Sequence, residues 1–139
     1  MTSPANIIVC GGRVGRNLTR NRVWAVLDHL RPNWPQPFRI VHGKAVWTDT
    51  WAGFWGYAHG VPVQPVPVDE RLDGALGDAP FNRNQRMADD FPPYACVGFP
   101  GGGGTLNMMT ICHDLGVPVA DVDLNPDGTF QIHWWPPKP

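Results

Sequence analysis

Residues 99–105, Phe-Pro-Gly-Gly-Gly-Gly-Thr, combine the features of a site that binds an anion. They follow an apolar run at 94–99 that predicts a buried strand, and they precede apolar residues with helical spacing, Leu106, Met109, Cys112 and Leu115. Glycine lets the backbone approach a phosphate closely, and the first N–H groups of a helix point at it with the positive end of the helix dipole. Thr105 could cap this helix or add a hydroxyl to the anion. The pattern favours a phosphate-binding loop over a simple flexible turn; its residues are Pro100, Gly101, Gly102, Gly103, Gly104 and Thr105.

Two further apolar runs end in glycine and a basic residue. The run 7–10 ends at Gly11, Gly12 and Arg13, and the run 38–41 ends at His42, Gly43 and Lys44. Ligands bind beyond the carboxyl ends of the strands in parallel sheets, where all three loops would meet. Together they predict a pocket for a phosphorylated small molecule. For Arg13 alone, phosphate contact and a solvated surface position are equal alternatives.

Strand and helix patterns alternate along the chain, which predicts one α/β domain, a mainly parallel sheet with helices on both faces. The sheet would have about five strands, and the tail at 129–135 could add an edge strand. Prolines at 62, 65 and 67 make the third strand an edge or irregular strand. The predicted strands are 7–10, 38–41, 61–68, 94–99 and 117–122. The predicted helices are 23–30, 48–58, 82–91 and 106–115. The segment 69–79 is expected to be a mobile polar loop.

Composition narrows the class of protein. The chain has 139 residues and a net charge of −1, so it lacks the positive charge that draws proteins to nucleic acid or anionic membrane. No apolar run is long enough to span a bilayer, and the N-terminus has no basic signal-peptide region, which favours a cytoplasmic protein. The three cysteines are expected to be buried and reduced. No histidine pair has ligand spacing, so we expect no metal and no cofactor.

The order of these motifs resembles the SLOG superfamily, the SMF/DprA–LOG Rossmann-like proteins. The resemblance rests on 11–13, 42–43, Asp49, 55–63, 83–87 and 99–105, and it covers roughly 6–122, leaving 123–139 as a tail. Within the superfamily the chain resembles the YspA-like branch, often found in bacteria and their phages. The resemblance implies a Rossmann-like three-layer sandwich, a pocket for a nucleotide or nucleotide-derived ligand, and a homodimer.

The sequence departs from the enzymes of this superfamily at one informative position. LONELY GUY enzymes, which cleave the N-glycosidic bond of nucleoside monophosphates, carry a glutamate three residues after the loop threonine, where this chain has Met108. Methionine cannot act as acid or base. We therefore expect a binding module, a sensor, carrier or sequestering protein for a nucleotide or an ADP-ribose-type molecule. A nucleotide hydrolase is the alternative, because five acids remain near the pocket, Asp49, Asp69, Glu70, Asp73 and Asp78; binding of single-stranded nucleic acid is disfavoured by the charge.

Several residues have both a ligand role and a structural role open to them. The resemblance implies that Asp49 contacts a ribose hydroxyl or lines the pocket, although an acid there would also favour a helix dipole. The resemblance likewise implies that Arg83 binds phosphate and that Asn84 bonds to a base or to backbone. The structural alternative for this pair is a helix cap together with a salt bridge. His42 could be a general base, but a packed histidine bonded to backbone is favoured. Arg86 is expected at the surface.

The tryptophans form two groups. Trp47, Trp51 and Trp55 are spaced by four and predict one helix stripe in the core or a dimer interface, with Trp47 close enough to the strand end to stack on a base. Trp134 and Trp135 are expected to pack on the sheet edge or on a second subunit.

Overall fold

The computed structural model describes residues 3–13 and 17–139. Six strands form one sheet in the order β3-β2-β1-β4-β5-β6. All neighbours are parallel except β5 and β6, which are antiparallel. The α/β class and the added edge strand predicted from the sequence are confirmed. The strands are β1 (Ala5–Cys10), β2 (Phe38–His42), β3 (Val63–Pro65), β4 (Pro93–Gly98), β5 (Val119–Leu124) and β6 (Phe130–Trp134).

Helices cover both faces of the sheet. They are α1 (Arg20–Leu30), α2 (Thr48–Ala58), α3 (Glu70–Asp73), α4 (Ala79–Asp90) and α5 (Gly103–Asp114), with a 3₁₀ turn at Arg31–Asn33. Side chains of β1 alternate between the two faces: Ile7 joins a core with α1 and α2, whereas Ile8 joins a core with α4 and α5. The result is three layers. Over the described ranges, none of these helices combines the length and apolarity needed to cross a membrane.

The position of β1 fixes where a ligand can enter. β1 lies between β2 and β4 in the sheet. After β1 the chain continues to β2 and β3 on one side of β1, and it then returns to form β4 on the other side of β1. Adjacent parallel strands whose connections diverge leave a crevice at their carboxyl ends. The loops after β1, β2 and β4 all begin at this end of the sheet.

Both edges of the sheet agree with the sequence prediction. β3 is an edge strand, but only residues 63–65 pair with β2, because Pro62 and Pro67 cannot donate to a ladder. At the other edge, β6 pairs with β5, and the Trp135 indole that follows it donates to a carboxylate oxygen of Asp121 at 3.1 Å. Trp135 also packs edge-to-face on His113 of α5.

The predicted tryptophan stripe is only partly a helix stripe. Trp55 is fully buried, stacks on Phe38 and donates from its indole nitrogen to Asp28 at 2.9 Å. Trp47 precedes α2 instead of lying in it, with a φ of 72°, and is 44% exposed. Placing Trp47 in the helix was therefore wrong, because the chain turns there. Phe54 on α2 is also exposed; the homodimer stays a prediction.

The segment 69–79 is not simply a loop. It contains α3, whose N-cap Asp69 accepts from the backbone of Arg71, and whose Asp73 is buried. Arg86 reaches back from α4 and pairs with Asp73 at 2.8 Å. Arg86 is partly exposed, as expected of a surface residue, but its pairing with Asp73 was not predicted from the sequence.

We expect Asp73→Asn to lower the free energy of unfolding by about 2 kcal/mol at pH 7, because the variant loses a charged hydrogen bond. The Arg86 guanidinium holds the pKa of Asp73 at about 2, below its usual 3.8. The carboxylate therefore stabilises the fold above pH 4, and this contribution is lost as the pH falls towards 2. Urea unfolding at several pH values measures both effects, with the exposed Asp78→Asn as control. Equal stability of wild type and Asp73→Asn at pH 7 would contradict the role of the pair.

Candidate functional site

A cleft of about 270 Å³ opens at the carboxyl ends of β1 and β2, between α4 and the start of α5. The structure brings ten of the predicted residues into its lining: Gly11, Gly12, Arg13, Gly43, Asp49, Arg83, Asn84, Gly102, Gly104 and Thr105. Five others do not line it: His42, Lys44, Pro100, Gly101 and Gly103. The floor contains Cys10, Met87 and Met108, so it is apolar and rich in sulfur.

The N-terminus of α5 points into this cleft without a cap. Gly102 is the N-cap residue, and no described side chain accepts a hydrogen bond from the N–H groups of the first turn. Thr105 does not cap the helix as predicted, because α5 begins at Gly103 and Thr105 already lies inside the first turn. A Cβ on Gly102, Gly103 or Gly104 would meet nothing within 4 Å, so the space over these backbone groups is open. An uncapped first turn facing open space can donate to an anion.

The glycine-rich loop is fixed to the loop after β1. The N–H of Gly12 donates to the carbonyl of Pro100 at 2.8 Å, and the N–H of Phe99 donates to the backbone carbonyl of Cys10 at 2.8 Å. A Cβ on Gly101 would lie only 2.8 Å from the backbone nitrogen of Gly12, so the close approach of the two loops requires glycine there. Pro100 and Gly101 thus position the loop and do not face the cleft.

Asp49 is the most unusual polar group in the cleft. It lies in the first turn of α2 and is only 4% exposed. Its Oδ2 accepts from the N–H groups of Gly43 at 3.0 Å and Ala45 at 3.2 Å. Its Oδ1 is buried and has no hydrogen-bond partner among the described residues. Burial raises the pKa of Asp49 from 3.8 to about 6, against the opposing effects of these two N–H groups and of the Arg83 charge.

His42 has the structural role that was favoured from the sequence. It is 5% exposed, and its Nδ1 accepts from the N–H of Lys44 at 2.9 Å, so the ring is neutral with the proton on Nε2. Burial, helped by Arg83 and Lys44, lowers its pKa to about 4. The bond holds Lys44 at a φ of 59°, which turns that side chain towards solvent and away from the cleft.

Arg83 and Asn84 brace the two loops that face each other across the cleft. Arg83 donates to the carbonyls of Gly43 at 2.6 Å and Val66 at 3.2 Å. Asn84 donates to the carbonyl of Gly104 at 3.1 Å and to the side chain of Asn107 at 3.0 Å. Neither residue is the helix cap considered as the alternative. Both also line the cleft, and their contact with a ligand stays a prediction.

Sequence reasoning missed three supporting residues. The Thr48 hydroxyl donates to the carbonyl of Gly12 at 3.1 Å and so ties α2 to the first loop. Asn107 and Val66 supply acceptors to Asn84 and Arg83. A hydroxyl at the start of a helix was a usable signal for Thr48, whereas a backbone carbonyl such as that of Val66 carries no sequence signal.

Four of the five acidic residues that were considered as catalytic candidates do not line the cleft. Asp69, Glu70, Asp73 and Asp78 are not among its lining residues. Asp73 is already paired with Arg86. Among the described residues that line the cleft, Asp49 is the single carboxylate, and Met108 occupies the floor with 1% of its surface exposed.

The comparisons with known proteins agree with this architecture. The family model described as YspA, cpYpsA-related SLOG family matches residues 5–72, which include β1, β2, Asp49 and the first two loops. Over these residues the chain matches the SLOG family. Curated protein sequences give no match to it.

One solved structure shows the same fold as this chain at low sequence identity. The X-ray structure of TM1055, a Northeast Structural Genomics Consortium target, superposes with a TM-score of 0.62 and 16% identity, over 83% of this chain and 72% of that one. Acinetobacter baumannii MurG gives a TM-score of 0.44 and 17% identity, over 84% of this chain and 34% of MurG. The chain therefore spans about a third of MurG.

We expect Arg83→Gln to raise the pKa of Asp49 above its value of about 6, because the variant removes a nearby positive charge that stabilises the carboxylate. The ¹³C shift of the Asp49 carboxyl carbon across pH measures this pKa. The exposed Arg71→Gln serves as control and leaves the pKa unchanged. An unchanged pKa in Arg83→Gln would show that the charge does not act on this carboxylate.

Proposed function

We propose that the protein binds a nucleotide or nucleotide-derived small molecule, with its phosphate at the N-terminus of α5. One observation carries the proposal: the uncapped first turn of α5 and the buried carboxylate of Asp49, whose Oδ1 has no partner among the described residues, line the same cleft. The helix N-terminus offers donors and partial positive charge to a phosphate. The carboxylate offers an acceptor to a sugar or base. A molecule that carries both phosphate and hydrogen-bond donors satisfies both groups at once.

The charges around the cleft support an anionic ligand. Arg13 lies at its rim with an exposed side chain, and Arg83 lies in its wall. Arginine matches phosphate geometry with two parallel N–H donors. The volume of about 270 Å³ is near the lower end of ligand pockets, about 300–1,000 Å³. This volume suits one nucleoside phosphate unit, and the rest of a larger conjugate would extend out of the opening.

A role in binding agrees better with the cleft than a role in hydrolysis. Hydrolysis of a glycosidic bond uses two carboxyl groups on opposite sides of that bond. Here Asp49 is the single carboxylate in the described lining, and Met108 occupies the place of the enzyme glutamate. A sensor, a carrier or a sequestering protein needs no such pair.

A nucleotide hydrolase is the second candidate, and one observation favours it. The pKa of Asp49 is raised to about 6, which is the range in which a carboxyl group exchanges protons efficiently near neutral pH. Asp49 alone would then have to act as acid and as base. The two candidates differ in whether the bound nucleotide is consumed.

A thermal-shift screen against AMP, ADP, ATP, NAD, ADP-ribose and cyclic nucleotides tests the proposal, with each stabilising compound incubated and analysed by chromatography. We expect stabilisation by at least one compound without a product. A released base or phosphate would establish the hydrolase instead. Stabilisation by none of them, together with no shift by inorganic phosphate, would overturn the proposal.

We expect Gly102→Val and Gly104→Val to abolish nucleotide binding while the fold stays intact. Each added side chain enters the open space over the α5 N-terminus, where no neighbouring atom lies within 4 Å, so it blocks the phosphate without a clash. Gly77→Val is the matched control, since Gly77 is equally open but lies outside the cleft lining. Calorimetry with the best compound of the screen measures affinity, and unchanged affinity in both variants would contradict the phosphate site.

A further inference from the structure

We propose that the ligand has two arms joined through phosphate, and that a second cleft on the far side of the glycine-rich loop binds the second arm. The inference rests on the proposed function and narrows its ligand class to conjugates in which a phosphate bridge links a nucleoside to another group. It also assigns the chemistry of that group, which is neutral or cationic, donates hydrogen bonds and carries no anionic substituent.

The second cleft lies between α5 and β5 and has a volume of about 340 Å³. One wall consists of the glycine-rich loop together with Leu106 and Met109 of α5, and the other contains Asp121 and Asp123 of β5. The first cleft, at about 270 Å³, is near the lower end of the range of about 300–1,000 Å³ that is usual for ligand pockets. A ligand that enters both clefts would occupy a volume well inside that range.

The two clefts meet at the start of α5. Gly102 and Thr105 line both of them. A Cβ on Gly102 would meet nothing within 4 Å, so the space over this residue is open. Thr105 is only 7% exposed, and no described residue forms a hydrogen bond with its hydroxyl group. A ligand can therefore pass from one cleft to the other over the α5 N-terminus, where the helix N–H groups favour an anion.

The two clefts differ in the sign of their charge. Arg13 and Arg83 outnumber Asp49 in the described lining of the first cleft. Asp121 and Asp123 line the second, and its described lining contains no lysine or arginine. Carboxylates accept hydrogen bonds and repel anions. The phosphate bridge is therefore favoured over α5 and beside the arginines, and the arm that continues past the glycine-rich loop must carry donors and no negative charge of its own.

The carboxylates of the second cleft are accessible to a ligand. The Asp123 side chain is 62% exposed, and its Oδ2 lies 2.8 Å from the Nε2 of His133. Asp121 is half-buried, and its Oδ2 accepts from the Trp135 indole. These contacts orient each carboxylate through one oxygen. Asp123, the more exposed of the two, is therefore the main acceptor for the second arm.

AMP and NAD test for the second arm, because AMP ends at one phosphate, whereas NAD continues through a diphosphate bridge to a ribose and a cationic nicotinamide ring. Calorimetry at pH 7 measures both dissociation constants. We expect wild type to bind NAD about tenfold more tightly than AMP, since the second arm adds hydrogen bonds to a charged group. Equal or weaker binding of NAD would overturn the inference.

Leu106→Trp places an indole in the second cleft, because Leu106 lines that cleft and does not line the first. Leu106 is 56% exposed, so the larger side chain needs no rearrangement of the core. We expect the ratio of NAD affinity to AMP affinity to fall close to one, and AMP binding by the same variant shows that it is folded. Leu115→Trp is the matched control, since Leu115 is 55% exposed and lies outside both clefts. A wild-type ratio in Leu106→Trp would contradict the role of the second cleft.

Nicotinic acid adenine dinucleotide tests the charge of the second cleft, because it differs from NAD only in a carboxylate that replaces the carboxamide. We expect wild type to bind it roughly two- to fivefold more weakly than NAD, as is usual for an interaction between exposed charges. Asp123→Asn should bring this ratio towards one. Asp114→Asn is the matched control and keeps the wild-type ratio, since the Asp114 side chain is also 62% exposed and pairs with Lys138. Equal affinities in wild type, or an unchanged ratio in Asp123→Asn, would overturn the assignment.

The outcomes also distinguish this inference from the proposed function. If AMP and NAD bind equally well, and Gly102→Val abolishes both while Leu106→Trp changes neither, the phosphate site stands and the second cleft plays no part. If Gly102→Val changes neither affinity, the phosphate site over α5 fails, and the inference fails with it. If neither compound binds, the inference is overturned, whereas the other compounds of the screen decide the proposed function.

Discussion

The burial of one carboxylate organises the cleft. Asp49 is removed from water at the start of α2, and a buried carboxylate must be met by hydrogen-bond donors. The loop after β2 supplies two of them by folding its Gly43 and Ala45 N–H groups onto Oδ2. This fold of the loop places Lys44 and Trp47 at positive φ, a conformation that costs bulky residues free energy. The bonds to Oδ2 hold that conformation in place, and they leave Oδ1 buried without a partner among the described residues.

The loops around the cleft are also held by side chains of α2 and α4. Thr48 of α2 bonds to the first loop, Asn84 of α4 bonds to the start of α5, and Arg83 bonds to the second loop. These bonds cross between elements that are far apart in sequence. A site whose walls are fixed before the ligand arrives loses little conformational entropy on binding. The cleft therefore combines walls that are held by hydrogen bonds with an uncapped, open first turn of α5.

Periodic patterns made the fold predictable, and long-range pairs made parts of the site unpredictable. The apolar run at 7–10 and the glycines at 101–104 identify β1 and the start of α5, because their local preference agrees with the fold. Local reasoning missed the ion pair of Arg86, since its partner Asp73 lies thirteen residues earlier on a separate helix. Local reasoning also failed for Trp47. Its spacing matches a helix, but its backbone has a positive φ and belongs to the loop that folds around Asp49. The position of Asp49 was predictable from the sequence. The lack of a hydrogen-bond partner at its Oδ1 was not, because it depends on how separate loops meet in space.

The proline-rich edge of the sheet limits how two copies of the chain could join. β3 pairs over only three residues, and Pro62, Pro65 and Pro67 leave its outer side with few N–H groups to offer another strand. A continuous intermolecular sheet at this edge is disfavoured. The opposite edge, β6, has five residues and no proline, and the prolines begin only at Pro136. Strand addition would therefore use the β6 edge, far from the β2 side of the cleft, and would leave the ligand entrance uncovered.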